Sequence, residues 1–471
     1  MTILTIDIGT TSTKVLLFDP ALNQLAITKN DYPTTMTADG FAEQNPDAIY
    51  EAVLTGIEDV LTDQPHKVKT IVFSSAMHSL MGVDRSGKPL TPLMLWSDNR
   101  AVEQIDHLKS QPEAEEFFKK TGTPIHPMSP LAKILWLKDE GTLFDSATKW
   151  IGIKEYIWFQ LTGEYQVDYS IASATGLFNS ETLAWDREIL TYLNLLEGKL
   201  SECVDVTYSQ KVISDELLKI DGINGETELV IGGSDGTLAN LASIKADDNM
   251  ANLSLGTSGA IRVTTKKRVI DPEGRLFCYY LRPGEWVIGG AVNNGGNVLN
   301  FLDQLLFETP GRIYDKLDKL DFTQESELIF LPHIHGERAP FWDSHLTGGW
   351  LGLTAIHTKE DLIRAAIEGI LFNLVDVLKL LNQQAGPIER LTVSGGFFQN
   401  QKLVQVTSDL FGLPIELNET IEQSSLGAAL LVYHGADPTT SSQKLYHPNS
   451  DQHERYQKKY QLYQKKLKKE I

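Results

Sequence analysis

The sequence predicts an α/β protein of two similar domains facing each other, and three observations carry that expectation. The chain has 471 residues, a length natural for two globular domains. It alternates β-prone runs with helical ones. It also contains two look-alike segments half a chain apart: Ile6-Asp7-Ile8-Gly9-Thr10-Thr11-Ser12, and Leu253-Ser254-Leu255-Gly256-Thr257-Ser258-Gly259. In each, an apolar run enters a Gly-Thr turn and leaves in a second β-prone run, the pattern of a hairpin.

Taken in order, the first half continues with a turn at Asp19-Pro20, the strand QLAIT and a helix from about Pro46 to Leu61. A buried strand at Thr70-Ile71-Val72-Phe73 follows, then helices over 130–139 and 150–161. A strand over 228–231 leads into Gly232-Gly233-Ser234-Asp235-Gly236, read as a loop before a helix. In the second half, CYYLR and WVIGGA flank Pro283-Gly284 as another hairpin, and 359–381 is helical, with Leu362, Ala366, Ile370, Leu374 and Leu378 on one face. The strand LTVS meets Gly395-Gly396 before a helix from about Gln399. In the tail, Tyr456, Tyr460, Tyr463 and Leu467 mark a basic amphipathic helix expected to pack on the acidic body. The expected domains are 1–245 and 246–471, the latter including the tail 451–471.

With 42 Lys+Arg against 62 Asp+Glu the formal net charge is −20. Such a surface repels extended polyanions, so neither nucleic acid nor an anionic membrane is an expected partner. Two cysteines, Cys203 and Cys278, are too few for a disulfide framework or a Cys-rich metal site. The start MTILTIDIGTTSTK lacks the pattern of a signal peptide and no apolar run approaches a membrane span, so a cytoplasmic location is expected.

Holding a nucleotide requires backbone amides and hydroxyls around phosphate. The P-loop pattern is absent, because Gly87-Lys88 and Gly198-Lys199 continue into Pro89 and Leu200. No G-x-G-x-x-G opens a helix either. Instead Gly9 lets the backbone approach an anion, Thr10, Thr11 and Ser12 offer hydroxyls, and Lys14 adds a mobile charge. Asp7, at the strand end, is placed to hold a divalent metal through water. The echo at Gly256-Thr257-Ser258-Gly259 makes a two-sided phosphate clamp the preferred reading over a plain Thr-rich hairpin. Asp235 is either a carboxylate facing a cleft or an ordinary helix N-cap.

The wider pattern resembles the FGGY family of carbohydrate kinases. Two long signatures carry the likeness: Met128-Ser129-Pro130-Leu131-Ala132-Lys133-Ile134-Leu135-Trp136-Leu137-Lys138-Asp139-Glu140, and Gly348-Gly349-Trp350-Leu351-Gly352-Leu353 with Asp361-Leu362-Ile363-Arg364-Ala365-Ala366-Ile367-Glu368 downstream. The resemblance runs from Thr2 to about position 435. It implies a duplicated actin-like, ribonuclease-H-like ATPase fold with two domains around a deep cleft, ATP as co-substrate and Mg²⁺. By position it assigns Gly9, Thr10, Thr11, Ser12 and Lys14 to the ATP phosphates, faced by Gly256 and Thr257. Gly295 would lie beside the nucleotide, and Gly396 and Asn400 against adenine, while Leu299 replaces a polar contact known in glycerol kinases. Asp235 matches the catalytic base and, with Asp7, would place the metal.

Met77-His78, within SSAMHS, resembles the acceptor-binding pair of the family's xylulose and gluconate kinases, where glycerol kinases carry Arg-Glu. Runs such as Trp96-Ser97-Asp98-Asn99-Arg100 and Glu337-Arg338-Ala339-Pro340 look closest to the gluconate-phosphorylating branch. Gluconate is a six-carbon polyol ending in a carboxylate, so its site should offer a cation remote from Asp235. Arg100, Lys154, His126 and Arg338 are the candidates, with His78 and Asp98 suited to hydroxyls. Lys154 has the alternative of a local ion pair, and His126, between prolines, that of a structural role. Xylulose as acceptor, and an actin-like ATPase needing no acceptor, remain the competing readings. A homodimer is expected by family analogy alone.

Overall fold

The computed structural model describes residues 2–62, 67–243, 249–308, 311–417, 422–433 and 444–470. Two mixed sheets organise them. In the first, strands Ser209–Lys211, Glu228–Ser234, Val68–Ser75, Thr2–Ile8, Ser12–Phe18 and Gln24–Asp31 lie side by side in that order. The second runs Phe277–Arg282, Glu285–Val292, Gly259–Thr265, Met250–Leu255, Arg390–Ser394, Ile415–Leu417 and Lys444–Tyr446.

Both sheets share one plan, which is the duplication the paired turns predict. Thr2–Ile8 is antiparallel to Ser12–Phe18 and parallel to Val68–Ser75. Met250–Leu255 is likewise antiparallel to Gly259–Thr265 and parallel to Arg390–Ser394. The central strands are buried on both faces, which explains their continuous apolar runs.

Most expected elements form where the sequence places them: the helix Pro46–Leu61, the helix Pro130–Glu140, the hairpin around Pro283-Gly284 and the helix Lys359–Ala385. Ser129 caps Pro130–Glu140 by accepting from the Ala132 amide, with Pro at the first helical position. Two expectations are corrected. The helix read over 150–161 begins only at Ile153, because Lys149–Ile151 is a strand paired with Met81–Val83. The stretch 232–236 is not a loop: the strand runs through Ser234 and the helix Asp235–Ser243 begins at the next residue. Glycine permits this, since Gly232 has φ +68° and a Cβ there would lie 1.7 Å from the Phe73 carbonyl oxygen.

The boundary expected at 245/246 lies in 244–248, outside the described residues. The helix Gln423–Val432, late in sequence, packs on Asp235–Ser243 so closely that a Cβ on Gly427 would meet the Leu238 carbonyl oxygen at 1.9 Å. Leu426 and Leu431 share a core with Ile3, Leu16 and Leu238, which ties the two halves together. The tail is the helix Ser450–Glu470, with Tyr456, Tyr460, Tyr463 and Leu467 buried as expected. Lys459 pairs with Glu368, and Tyr460 and Gln464 donate to Asp376, all on the helix Lys359–Ala385. No helix among the described residues is long and apolar enough to cross a membrane.

Candidate active site

The first Gly-Thr turn is pinned from outside. Tyr32 donates to the Gly9 carbonyl (2.6 Å), Gln44 to the Thr10 carbonyl (2.7 Å) and Trp96 Nε1 to Thr10 Oγ1 (3.1 Å). Thr11 is exposed and Ser12 buried. Asp7, directly before the turn, accepts from Ser74 and from Ser424, each at 2.8 Å. Lys14 pairs with Glu422 at 2.6 Å, so its ammonium is engaged rather than free at the turn.

The second turn is braced by the segment after Val292. Gly296 and Asn297 amides donate to the carbonyls of Gly256 (2.7 Å) and Thr257 (3.1 Å). A Cβ on Gly295 would sit 3.0 Å from both carbonyl oxygens, so only glycine allows this approach.

Two cavities meet at this second turn. One, about 570 Å³, is lined by Gly256, Thr257, Gly296, Leu299, Leu317, Phe397, Gly396 and Asn400 among others. Its apolar walls and exposed glycine backbone suit a flat heteroaromatic ring. Gly295 packs behind it, and Leu299 is part of the apolar wall. Asn400 corrects an expectation in detail: its Oδ1 accepts from the Lys402 and Leu403 amides as a helix N-cap and its Nδ2 donates to Asp318, so its amide is already engaged.

The other cavity, about 210 Å³, lies between the halves and contains Asp235, Thr10, Met77, His78, Ser258, Gly259 and Arg338. Asp235 is not an N-cap. Ser234 Oγ faces the Thr237 amide at 3.4 Å, while Asp235 Oδ1 accepts from the adjacent Gly236 amide at 2.6 Å. Burial first, and then the nearby Asp7 carboxylate, push the Asp235 carboxyl up to about 6, against the pull of Arg262.

His78 occupies left-handed backbone (φ +69°), and its Nδ1–H donates to the Ala174 carbonyl at 2.7 Å, which leaves Nε2 as an acceptor. Burial pushes its pKa down to about 3, so the ring is neutral. Lys133, from the first signature, is fully buried and donates to the carbonyls of His78 (2.7 Å) and Met128 (2.6 Å), tying two cavity walls together. His126 is buried just behind the wall, its Nδ1 accepting from the Met128 amide and its ring edge-on to Trp342 at 5.7 Å.

Besides His126, three expected acceptor contacts do not line this cavity. Asp98 is fully buried and accepts from the Ala42 amide and from the Arg100 backbone and guanidinium. Arg100 bridges Asp98 and Glu43 and stacks on Phe41, 4.1 Å from the ring centre. Lys154 pairs with Asp168 at 2.5 Å, which realises its local alternative. For Arg100 and Lys154 a nearer carboxylate has taken the cation.

Arg338 does line the cavity. Its Nη2 donates to the Val292 carbonyl (2.9 Å) and its guanidinium lies 4.8 Å from the Trp96 ring centre. The adjacent Glu337 carboxylate is occupied elsewhere, by the Asn293 and Arg338 amides and the side chains of Asn294 and Asn373. Sequence reasoning missed Arg262, Tyr279, Met128 and Trp342, which share this cavity. One signal was available: Arg262 interrupts an otherwise apolar and hydroxyl strand just after the second turn.

The site therefore joins a carboxylate, two Gly-Thr turns and a heteroaromatic-sized cavity on the far side of one of them. Comparison with known proteins agrees. The model of the FGGY family of carbohydrate kinases matches twice, its N-terminal domain over residues 2–242 and its C-terminal domain over 251–436. The chain belongs to the FGGY family of carbohydrate kinases. Kinases of this family use ATP, and the fold is the duplicated actin-like one the resemblance implies. The chain is 41% identical over 440 residues to a gluconokinase of Bacillus subtilis (strain 168), covering 90% of this chain and 86% of that one. Among solved structures it is similar to a gluconate kinase from Lactobacillus acidophilus, with TM-score 0.92, 35% identity and coverage of 99% and 97%. A ligand-bound xylulose kinase from Lactobacillus acidophilus is comparably similar, with TM-score 0.91, 35% identity and coverage of 99% and 98%.

Proposed function

We propose that this FGGY kinase transfers the γ-phosphoryl group of ATP to the terminal hydroxyl of D-gluconate, giving 6-phosphogluconate. The observation that carries the choice of acceptor is Arg338: a buried guanidinium, in the cavity that holds Asp235, without an ion-pair partner among the described residues. A sugar acid supplies that partner and a neutral sugar does not. The identity to a gluconokinase supports the same reading.

ATP fits with its base in the larger cavity near Leu299, Phe397 and Gly396, and its phosphates between Gly9-Thr10-Thr11-Ser12 and Gly256-Thr257. Lys14 would exchange Glu422 for a phosphate oxygen. The second turn is the wall between the cavities, with Thr257 on one side and Ser258 on the other, so the γ-phosphorus has a short path to the acceptor. Asp235 accepts the proton of the attacking hydroxyl. In a loose transition state that oxygen develops little charge, so the carboxylate mainly orients it. His78 Nε2 accepts from an acceptor hydroxyl, with Met77 beside it. Met128 and Trp342 shape the apolar wall.

Asp7 and Asp235 fit Mg²⁺ carried on the nucleotide. The described residues hold no group of three or more metal-ligating side chains, which is the donor set expected when phosphates and water supply most ligands. Bound there, the ion would neutralise phosphate charge. The domain 246–471 would carry adenine, and the acceptor, expected on 1–245, would lie between the two, with Asp235 and His78 from 1–245 and Arg338 from 246–471.

Xylulose remains the second reading because of the ligand-bound neighbour. ADP release with gluconate, xylulose, ribulose and glycerol as acceptors decides between them. Gluconate should lead clearly, and equal rates on xylulose and gluconate would defeat the assignment.

A further inference from the structure

Arg338 is not the only unsatisfied cation in the acceptor cavity. Arg262, on strand Gly259–Thr265, is half-buried, donates one Nη to Ser254 (3.0 Å) and comes within 3.1 Å of where a Cβ on Gly236 would lie, beside Asp235. Tyr279, on the adjoining sheet edge, is stacked on Phe277 with ring centres 4.4 Å apart, and its ring stands 6.0 Å from that of His78. Three polar atoms here are buried without any hydrogen-bond partner: Arg262 Nε, Arg338 Nε and Tyr279 Oη. All three side chains line the one 210 Å³ cavity.

We propose that Arg262, Tyr279 and Arg338 form a single receptor for the acceptor's carboxylate, which makes the acceptor class a sugar acid. The inference deepens the gluconate reading and rests on it for the reaction. A buried guanidinium without a counter-ion is costly, and two others among the described residues are matched: Arg100 with Asp98 and Glu43, Arg364 with Asp361. Two guanidiniums and one carboxylate, Asp235, line this cavity, and neither guanidinium forms an ion pair among the described residues, although Glu337 attracts Arg338 and Asp235 attracts Arg262 from farther off. A bound carboxylate offers charged acceptor lone pairs to all three orphaned donors, which makes the hydrogen bonds charge-assisted. The oxygens of a ketose or glycerol can accept from these donors but bring no negative charge to match the guanidiniums, so the hydrogen bonds they form are the weaker neutral-acceptor kind.

The same donors would suit another oxyanion, the γ-phosphoryl group, and the test separates the two. Gluconate and glucitol share every carbon and differ at one end by carboxylate against hydroxymethyl. Affinity for each, and for ATP, is measured by thermal shift and calorimetry on the wild-type chain and on Arg262→Met, Arg338→Met and Tyr279→Phe. Arg262→Lys and Arg338→Lys serve as charge-keeping controls. The receptor predicts that gluconate binds in the absence of ATP, weakens about thirtyfold or more in each Met variant and severalfold in Tyr279→Phe, and is partly restored by Lys. The ATP-induced shift stays within about twofold in all five, which also shows that they fold.

Loss of ATP binding in the Met variants, with gluconate unaffected, would assign the donors to phosphate and overturn the proposal. Unchanged gluconate affinity would overturn it too. A wild-type chain preferring another sugar acid, with the same losses in the variants, would uphold the receptor while sinking gluconate. Preference for a neutral sugar would sink both.

Discussion

Lys154 Nζ lies 2.5 Å from Asp168 Oδ2, with both side chains almost wholly removed from solvent, and Lys154 also donates to the Gly233 carbonyl at 3.1 Å. The lysine that sequence likeness offers to the acceptor is thus a strut between the helix Ile153–Thr162 and the strand Glu228–Ser234 that leads into Asp235. Removing one member of a buried pair strands the other charge. Lys154→Met should lower stability by about 3–5 kcal/mol in chemical denaturation, while the ratio of activity on gluconate to xylulose is retained. A collapse of that ratio would return Lys154 to the acceptor site.

Asp235 is the only carboxylate that lines the acceptor cavity among the described residues. Asp235→Asn keeps the shape and removes the proton acceptor, so kcat should fall roughly a hundred- to ten-thousandfold. ATP binding, followed by calorimetry, should be largely intact. Near-normal turnover would contradict its assignment as base.

His78 carries a pH signature. Its folded pKa, about 3, lies below the ordinary 6.5 because burial disfavours the charged ring. A lowered histidine pKa means that the unfolded chain takes up a proton first as pH falls, so stability is full above pH 6.5 and is lost progressively from there toward 3. The melting temperature should therefore fall more steeply between pH 7 and 5 in the wild type than in His78→Gln. Parallel curves would show that the ring is not held neutral.

The tail helix belongs to the body. Tyr463 is fully buried against Phe372, and Tyr460 is clasped by Asp376 and by the Lys379 ammonium 3.7 Å above its ring. Tyr463→Ala should cost about 3–5 kcal/mol, read as a lower denaturation midpoint, with turnover at low temperature little altered because the helix lies away from both cavities.

Much of this was legible in the sequence because it is written in local pattern. The paired Gly-Thr turns announce the duplication, the tyrosine spacing announces the tail, and the family likeness singles out Asp235, His78 and Arg338, which share one cavity. What escaped depends on partners remote in sequence. Nothing local says that Asp98 and Glu43 claim Arg100, that Asp168 claims Lys154, or that Glu422 claims Lys14. Arg262 was overlooked for the converse reason: a lone Arg in a strand reads as an edge residue until the fold shows it half-buried beside Asp235 without an ion pair among the described residues. The loop expected at 232–236 failed on a backbone detail, since Gly232 at positive φ sits in a bulge between Val230 and Gly233, after which the strand resumes its pairing where a Gly-Gly sequence reads as a break.

The most direct test is a crystal structure with gluconate and a non-hydrolysable ATP analogue. The account predicts the analogue's base beside Gly396 and Leu299, the terminal hydroxyl within hydrogen-bond reach of Asp235, and the carboxylate on Arg338 and Arg262. A carboxylate seated on Arg100 or Lys154, or an acceptor bound outside the Asp235 cavity, would contradict it.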